Sequence, residues 1–186
     1  MRLIGNGWPQ ASLLPLVIFP TLALALLTAA CAASNPPEEV VDAYLSETKR
    51  GDALNALKRW ELSELGPAPV DLAPEQQRIR LDTRRELAET LTDALSAAGE
   101  RLQWEGRGLV LYHIRDGVAN LTEVVDEANV ATVEVGITVE RSESEDVEER
   151  LAFTLWKRAG GGWSVTGLDK GLAVLEGFLE ELWSSR

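Results

Sequence analysis

Hydrophobic and polar positions divide the chain into stretches with different periods. Residues 11–34 carry no charged side chain, and 13–27 is apolar apart from Pro15, Pro20 and Thr21. Beyond it the pattern becomes helical. Val40, Val41, Tyr44, Leu45 and Thr48 fall on one face at spacings of three and four, the stripe by which a helix buries one side. Asn35 is placed to cap this helix, Pro36 suits its first position, and Glu38 completes a capping box. Gly51 stops it where a left-handed residue is wanted. Asp52 then caps a second helix carrying Leu54, Leu57 and Trp60, and Gly66-Pro67-Ala68-Pro69 ends that segment. After Pro74, the residues Ile79, Thr83, Leu87, Leu91, Leu95 and Ala98 recur at about one turn. Arg78, Arg80, Arg84, Arg85 and Glu89 lie outside their stripe, which predicts a longer helix closed by Gly99.

From Leu102 the period changes to two. Residues 109–114 predict a strand, Asp116-Gly117 a tight turn, and 118–125 the partner strand. Residues 126–129 turn the chain again. Ala131, Val133, Val135, Ile137 and Val139 alternate with Thr132, Glu134, Thr138 and Glu140, and Leu151, Phe153 and Leu155 alternate with Ala152, Thr154 and Trp156. An acidic loop at 142–146 joins these two strands, and Gly160-Gly161-Gly162 leads into a further strand at 163–166. A last amphipathic helix carries Leu172, Leu175, Leu179 and Leu182, with Phe178 beside them. Helices first and antiparallel strands afterwards predict an α+β fold. Its strands form a meander, helices cover one sheet face, and a C-terminal helix follows. Trp156 falls on the face opposite Leu155, where an exposed aromatic would mark a partner surface.

The N-terminal run has the parts of an export signal: Arg2, an apolar stretch, and the small residues Ala29 and Ala30 before Cys31. Cys31 is the only cysteine. The junction resembles the lipobox of bacterial lipoproteins, with Thr28 where that family most often has Leu. The resemblance implies a signal peptide at 1–30, a lipid on Cys31, a tether at 31–35 and one domain at 36–186. That domain would be extracytoplasmic, lipid-anchored to the cell membrane or outer membrane. Two other outcomes fit the same residues: ordinary cleavage near Ala33, which discards Cys31, or an uncleaved anchor of about 20 residues. All three place the domain outside the cytoplasm.

Composition sharpens this. Thirty acidic residues against eighteen basic ones give a net charge of −12. That balance disfavours nucleic acid and anionic lipid surfaces, which need Lys/Arg patches. With one thiol, no internal disulfide exists and the fold stands on apolar packing.

Candidate chemistry is sparse. His113, the only histidine, sits in a predicted strand beside Tyr112 and would serve as a general base if a motif oriented it. Asp42, two residues before Tyr44, is the carboxylate best placed to enter a pocket and have its pKa raised there. No nucleophile elbow, zinc ligand set or phosphate-binding glycine loop occurs, and the acidic residues at 142–149 lack the order of a calcium loop. No cofactor and no metal are expected. The candidate pocket or partner-surface residues are Asp42, Tyr44, Trp60, Tyr112, His113 and Trp156.

The order of elements, with Pro37-Glu38-Glu39-Val40-Val41, Tyr44, Gly51-Asp52, Ala56 and Trp163-Ser164-Val165, resembles small bacterial lipoproteins that carry a nuclear transport factor 2-like domain. That resemblance implies a cone-shaped, cystatin-like α+β fold, with N-terminal helices packed on a bent antiparallel sheet. The helices at Pro74 and after Lys170 depart from it. The fold hosts both isomerases or dehydratases and non-catalytic binding modules, so it does not decide function. The expected role is a membrane-tethered binding or interaction module for an unknown small molecule or envelope protein. The alternatives are an isomerase/dehydratase-type enzyme using Asp42, Tyr44 or His113, and an envelope structural lipoprotein assembling through the last leucine stripe.

Overall fold

Prolines and glycines punctuate the helical part of the chain. The computed structural model describes residues 35–66, 72–142 and 145–184, which belong to one compact unit. The expected signal peptide, Cys31, Pro67-Ala68-Pro69 and part of the acidic loop lie outside the described residues. Helix α1 (Pro37–Lys49) begins one residue later than its sequence suggests. Pro36 flanks it, Pro37 takes the first turn, and no side chain caps it. Pro37 presets φ for the first turn and has no amide to satisfy, while Glu38 and Glu39 lie in the first turn, where the helix dipole favours acidic groups. Val40, Val41, Tyr44, Leu45 and Thr48 are buried as expected. Gly51, at φ 73°, closes the helix, and the Asp52 amide donates back to Glu47 O at 2.9 Å.

Asp52 Oδ1 accepts from the Asn55 amide at 3.3 Å and opens α2 (Ala53–Leu57). This helix is a single turn, so it buries one residue fully, with Leu57 packed partly against the core. The buried residue is Ala56, and Leu54 is 77 % exposed. A turn through Lys58 and Arg59 leads into Trp60, which bridges to Val165. Helix α3 (Pro74–Ala98) follows, but it buries only the part from Leu87 to Ala98. Ile79 and Thr83, expected in the stripe, are exposed. Twenty-five residues span about 37 Å, and the first half of this helix has no core beneath it.

A 3₁₀ turn at Gly99–Arg101 leads into the sheet. Its strands are β1 (Leu102–Arg115), β2 (Val118–Thr122), β3 (Val130–Val139), β4 (Val147–Lys157) and β5 (Trp163–Leu168), in the order β2-β1-β3-β4-β5 and antiparallel throughout. The sheet departs from a simple meander at one place. β2 pairs only with the end of β1, and β3 returns along the other side of β1. This is possible because β1 begins at Leu102, not Leu109, and is long enough to pair twice. Its register shifts between Gly106 and Gly108, where Arg107 is the extra residue. Gly136 on β3 has no Cβ, and the Arg107 guanidinium occupies that space. β2 ends three residues earlier than expected. The loop after it folds back, and the Asn129 side chain bonds both the amide and the carbonyl of Ile114 at 2.7 Å.

Helices α1 and α3, with the C-terminal α4 (Leu172–Ser184), share one core with the sheet face that carries Leu111, Ala131, Val133, Val135, Ile137, Leu151, Phe153 and Leu155. Leu175, Phe178, Leu179 and Leu182 of α4 are buried against α3 and β4. The leucine stripe is therefore part of the domain's own core. At the centre, the Tyr44 ring meets Trp60 edge-on at 6.0 Å and Phe153 at 5.9 Å, geometries that add to area burial.

Candidate functional site

The described surface has a groove of about 360 Å³ between the start of α1 and the bulged part of β1. Three features of the chain create it. The Val40/Val41 stripe holds α1 against the sheet. Two glycines flank the bulge and leave bare backbone. Trp104, alternating inward from Leu102, lies half-buried along the floor. Val41, Leu109, Val133 and Val135 complete an apolar floor, and Glu38, Asp42 and Glu134 bring carboxylates to the edge. The Trp104 indole N–H donates to Asp42 Oδ1 at 2.8 Å, and Lys49 Nζ lies 5.9 Å from the Trp104 ring centroid. Glu134 is paired with Arg150, which leaves Glu38 and Asp42 as the open acidic groups. A second hollow, about 450 Å³, lies between α3 and α4 beside Trp183. None of the six candidate pocket or partner-surface residues reaches it, but Leu172 and Leu179 of the last leucine stripe line it.

The structure disperses most of those residues. Tyr44 and Trp60 are core residues, at 0 % and 2 % exposure. The Tyr44 hydroxyl lies 3.1 Å from Thr92 Oγ1. Burial pushes its pKa well above the ordinary tyrosine value, outweighing the Thr92 hydrogen bond, which acts the other way. His113 is exposed near the end of β1, with Nδ1 2.7 Å from the Glu127 carbonyl oxygen. Tyr112 is half-buried on the opposite face. Trp156 lies on the face opposite Leu155, as expected, where exposure would have marked a partner surface. It is half-buried, because Gly66 sits over its ring so closely that a Cβ there would lie 3.1 Å from it. Only Asp42 belongs to the groove. Comparison with known protein families, characterised proteins and solved structures finds no match.

Two buried carboxylates were not legible as candidates, and both are structural. Glu47 forms a two-bond pair with Arg59, which holds the Arg59 guanidinium above its ordinary pKa. Glu61 is 4 % exposed. Burial alone would raise its carboxyl, but the Ser63 hydroxyl and amide, Arg158 and the Glu64 amide together hold it below the usual carboxylate range. Beside it, Arg84 donates to the carbonyls of Glu61, Glu64 and Leu65 and clamps that segment to α3. Among the described residues no group of His, Cys, Asp and Glu is arranged to hold a metal ion. No described helix is long and apolar enough to cross a membrane.

Trp104, one of five tryptophans beyond the apolar run able to line a pocket, is a groove residue that the candidate set left out. Its signal was present in Gly106-Arg107-Gly108, since glycines inside a strand mark a bulge or a close approach.

Proposed function

We propose that this chain is a lipoprotein anchored through Cys31, and that its nuclear transport factor 2-like domain is a binding module at the outer face of a membrane. The groove between α1 and β1 is the ligand site. The Trp104–Asp42 pair carries this reading: an indole fixed by a carboxylate over an apolar floor is the mix of flat apolar surface and a few placed polar groups that small-molecule sites use. With Glu38 and Asp42 at its edge, the site favours a ligand with an apolar body and a cationic or hydrogen-donating group. Glu38 also lies seven residues after Cys31 in the chain, which supports a site close to the tethered end.

An enzyme of the isomerase or dehydratase type needs an ionisable group at the base of an open interior. Tyr44 instead spends its hydroxyl on Thr92, inside packed aromatic rings. Burial of Leu175, Leu179 and Leu182 leaves the assembly reading less support than the groove gives the binding reading.

The test is native mass spectrometry of the mature chain purified from the membrane of its own host. The expected result is a chain beginning at an acylated Cys31, with a co-purifying small molecule that is lost in Asp42→Ala. An unprocessed or unacylated N-terminus contradicts the anchor. A molecule retained equally by Asp42→Ala contradicts the groove.

A further inference from the structure

Among the described residues nothing pairs with the outer edge of β2, and that edge has a definite hydrogen-bonding pattern. Asp116 and Gly117 both have left-handed φ, 52° and 77°, and form a two-residue loop closing on the Arg115–Val118 pair. In such a hairpin the closing pair exchanges both hydrogen bonds, and alternate residues thereafter bond inward. Val118, Asn120 and Thr122 therefore bond to β1, while the amides and carbonyls of Ala119 and Leu121 point off the sheet. The opposite parity on β1 agrees, because the Ile114 amide faces away from β2 and is taken by Asn129.

Proteins usually blunt such an edge with charge, proline or a bulge. Val118–Thr122 has none of these. Val118 is 60 % exposed and Leu121 71 %. Leu121 also begins a cross-strand row on the face away from the helices, continuing through Tyr112 and Val130 to Trp156.

We propose that β2 is a strand-addition site for an extended peptide segment of a partner protein, with an uncharged apolar centre and a basic end facing Glu123 and Glu127. Backbone pairing to Ala119 and Leu121 would provide the affinity, and the exposed Leu121 side chain, backed by that row, would meet alternate side chains of the added strand. Charge selects the occupant. At the turn end Arg115 is 3.7 Å from Asp116, and at the far end Lys157 is 3.9 Å from Asp126. Glu123 and Glu127 remain beside Thr122. A second copy of this chain would bring another net −12 to the same edge.

The test titrates the full chain, in detergent micelles, with the synthetic peptide Lys-Val-Thr-Val-Thr-Val-Lys and its glutamate-ended twin. The lysine-ended peptide should bind about tenfold more tightly, protect the Ala119 and Leu121 amides from exchange, and lose binding when alternate peptide nitrogens are methylated. The methylated peptide leaves the protein untouched, so its result does not depend on a variant folding. Equal binding of both peptides, binding that survives methylation, or self-association of the chain alone that Leu121→Lys abolishes would overturn the proposal.

Discussion

At the β5 edge of the sheet, the chain covers its own open strand. The Glu61 amide donates to Val165 O and the Val165 amide donates to Arg59 O, each at 2.8 Å. Trp60 between them is driven into the core. At the β2 edge nothing described plays that part, and Leu121 and Val118 face solvent. Both edges begin as rows of unpaired amides and carbonyls. The difference lies in sequence: one edge is met by a segment with a large apolar side chain and a buried, hydrogen-bonded carboxylate, while the other is the outer strand of a hairpin that no described residue covers. Sealing an edge takes an anchor as well as a strand.

The largest effect expected from breaking this contrast is at Trp60. Trp60→Ala should cost about 3–5 kcal/mol in urea unfolding, the range for removing a large buried aromatic. It would also release the bridge to Val165. A loss under about 1 kcal/mol would mean that the β5 edge is held without its anchor.

Glu61 gives the contrast a pH signature. Its carboxyl is held below the usual range in the folded chain, so it contributes stability that is present above the unfolded carboxylate pKa and is lost as pH falls through the folded value. Glu61→Gln should be less stable than the native chain at pH 7 by about 1–3 kcal/mol. The gap should shrink as pH falls below about 4.5. A gap independent of pH would place the effect in packing rather than charge.

Gly66→Ala should cost about 1–2 kcal/mol, since φ is 81° and the new Cβ would press on the Trp156 ring. The expected readout is a lower unfolding midpoint and a more exposed Trp156 fluorescence. Smallest is Leu121→Lys at the bare edge. It should change stability by no more than about 0.5 kcal/mol, because the side chain touches little in the isolated domain.

Most of the fold was legible where the period was clean and both ends of an element were punctuated. The α1 stripe, the Asp116-Gly117 turn and the alternation of β3 and β4 are read directly, because each buried residue meets the core its neighbours define. Errors occurred where a local pattern lacked tertiary support. Ile79 and Thr83 continue a perfect helical stripe past the end of the core. Leu54 is apolar on a helix too short to turn it inward. Trp156 was placed on the correct face, but its cover comes from Gly66, ninety residues earlier, and no local pattern announces that contact. The groove was half legible: Asp42 was singled out for its charge, while its partner Trp104 is brought beside it by β1 starting seven residues sooner than the apolar run suggested.

Amide hydrogen exchange of the full chain, resolved to single residues, tests the contrast between the edges most directly. Glu61 and Val165 should be protected, with exchange requiring the opening of the core around Trp60, while Ala119 and Leu121 should exchange at rates near those of an exposed strand. Protection of Ala119 and Leu121 in the chain by itself, at a level matching Val165, would contradict the account, since the β2 edge would then already be covered.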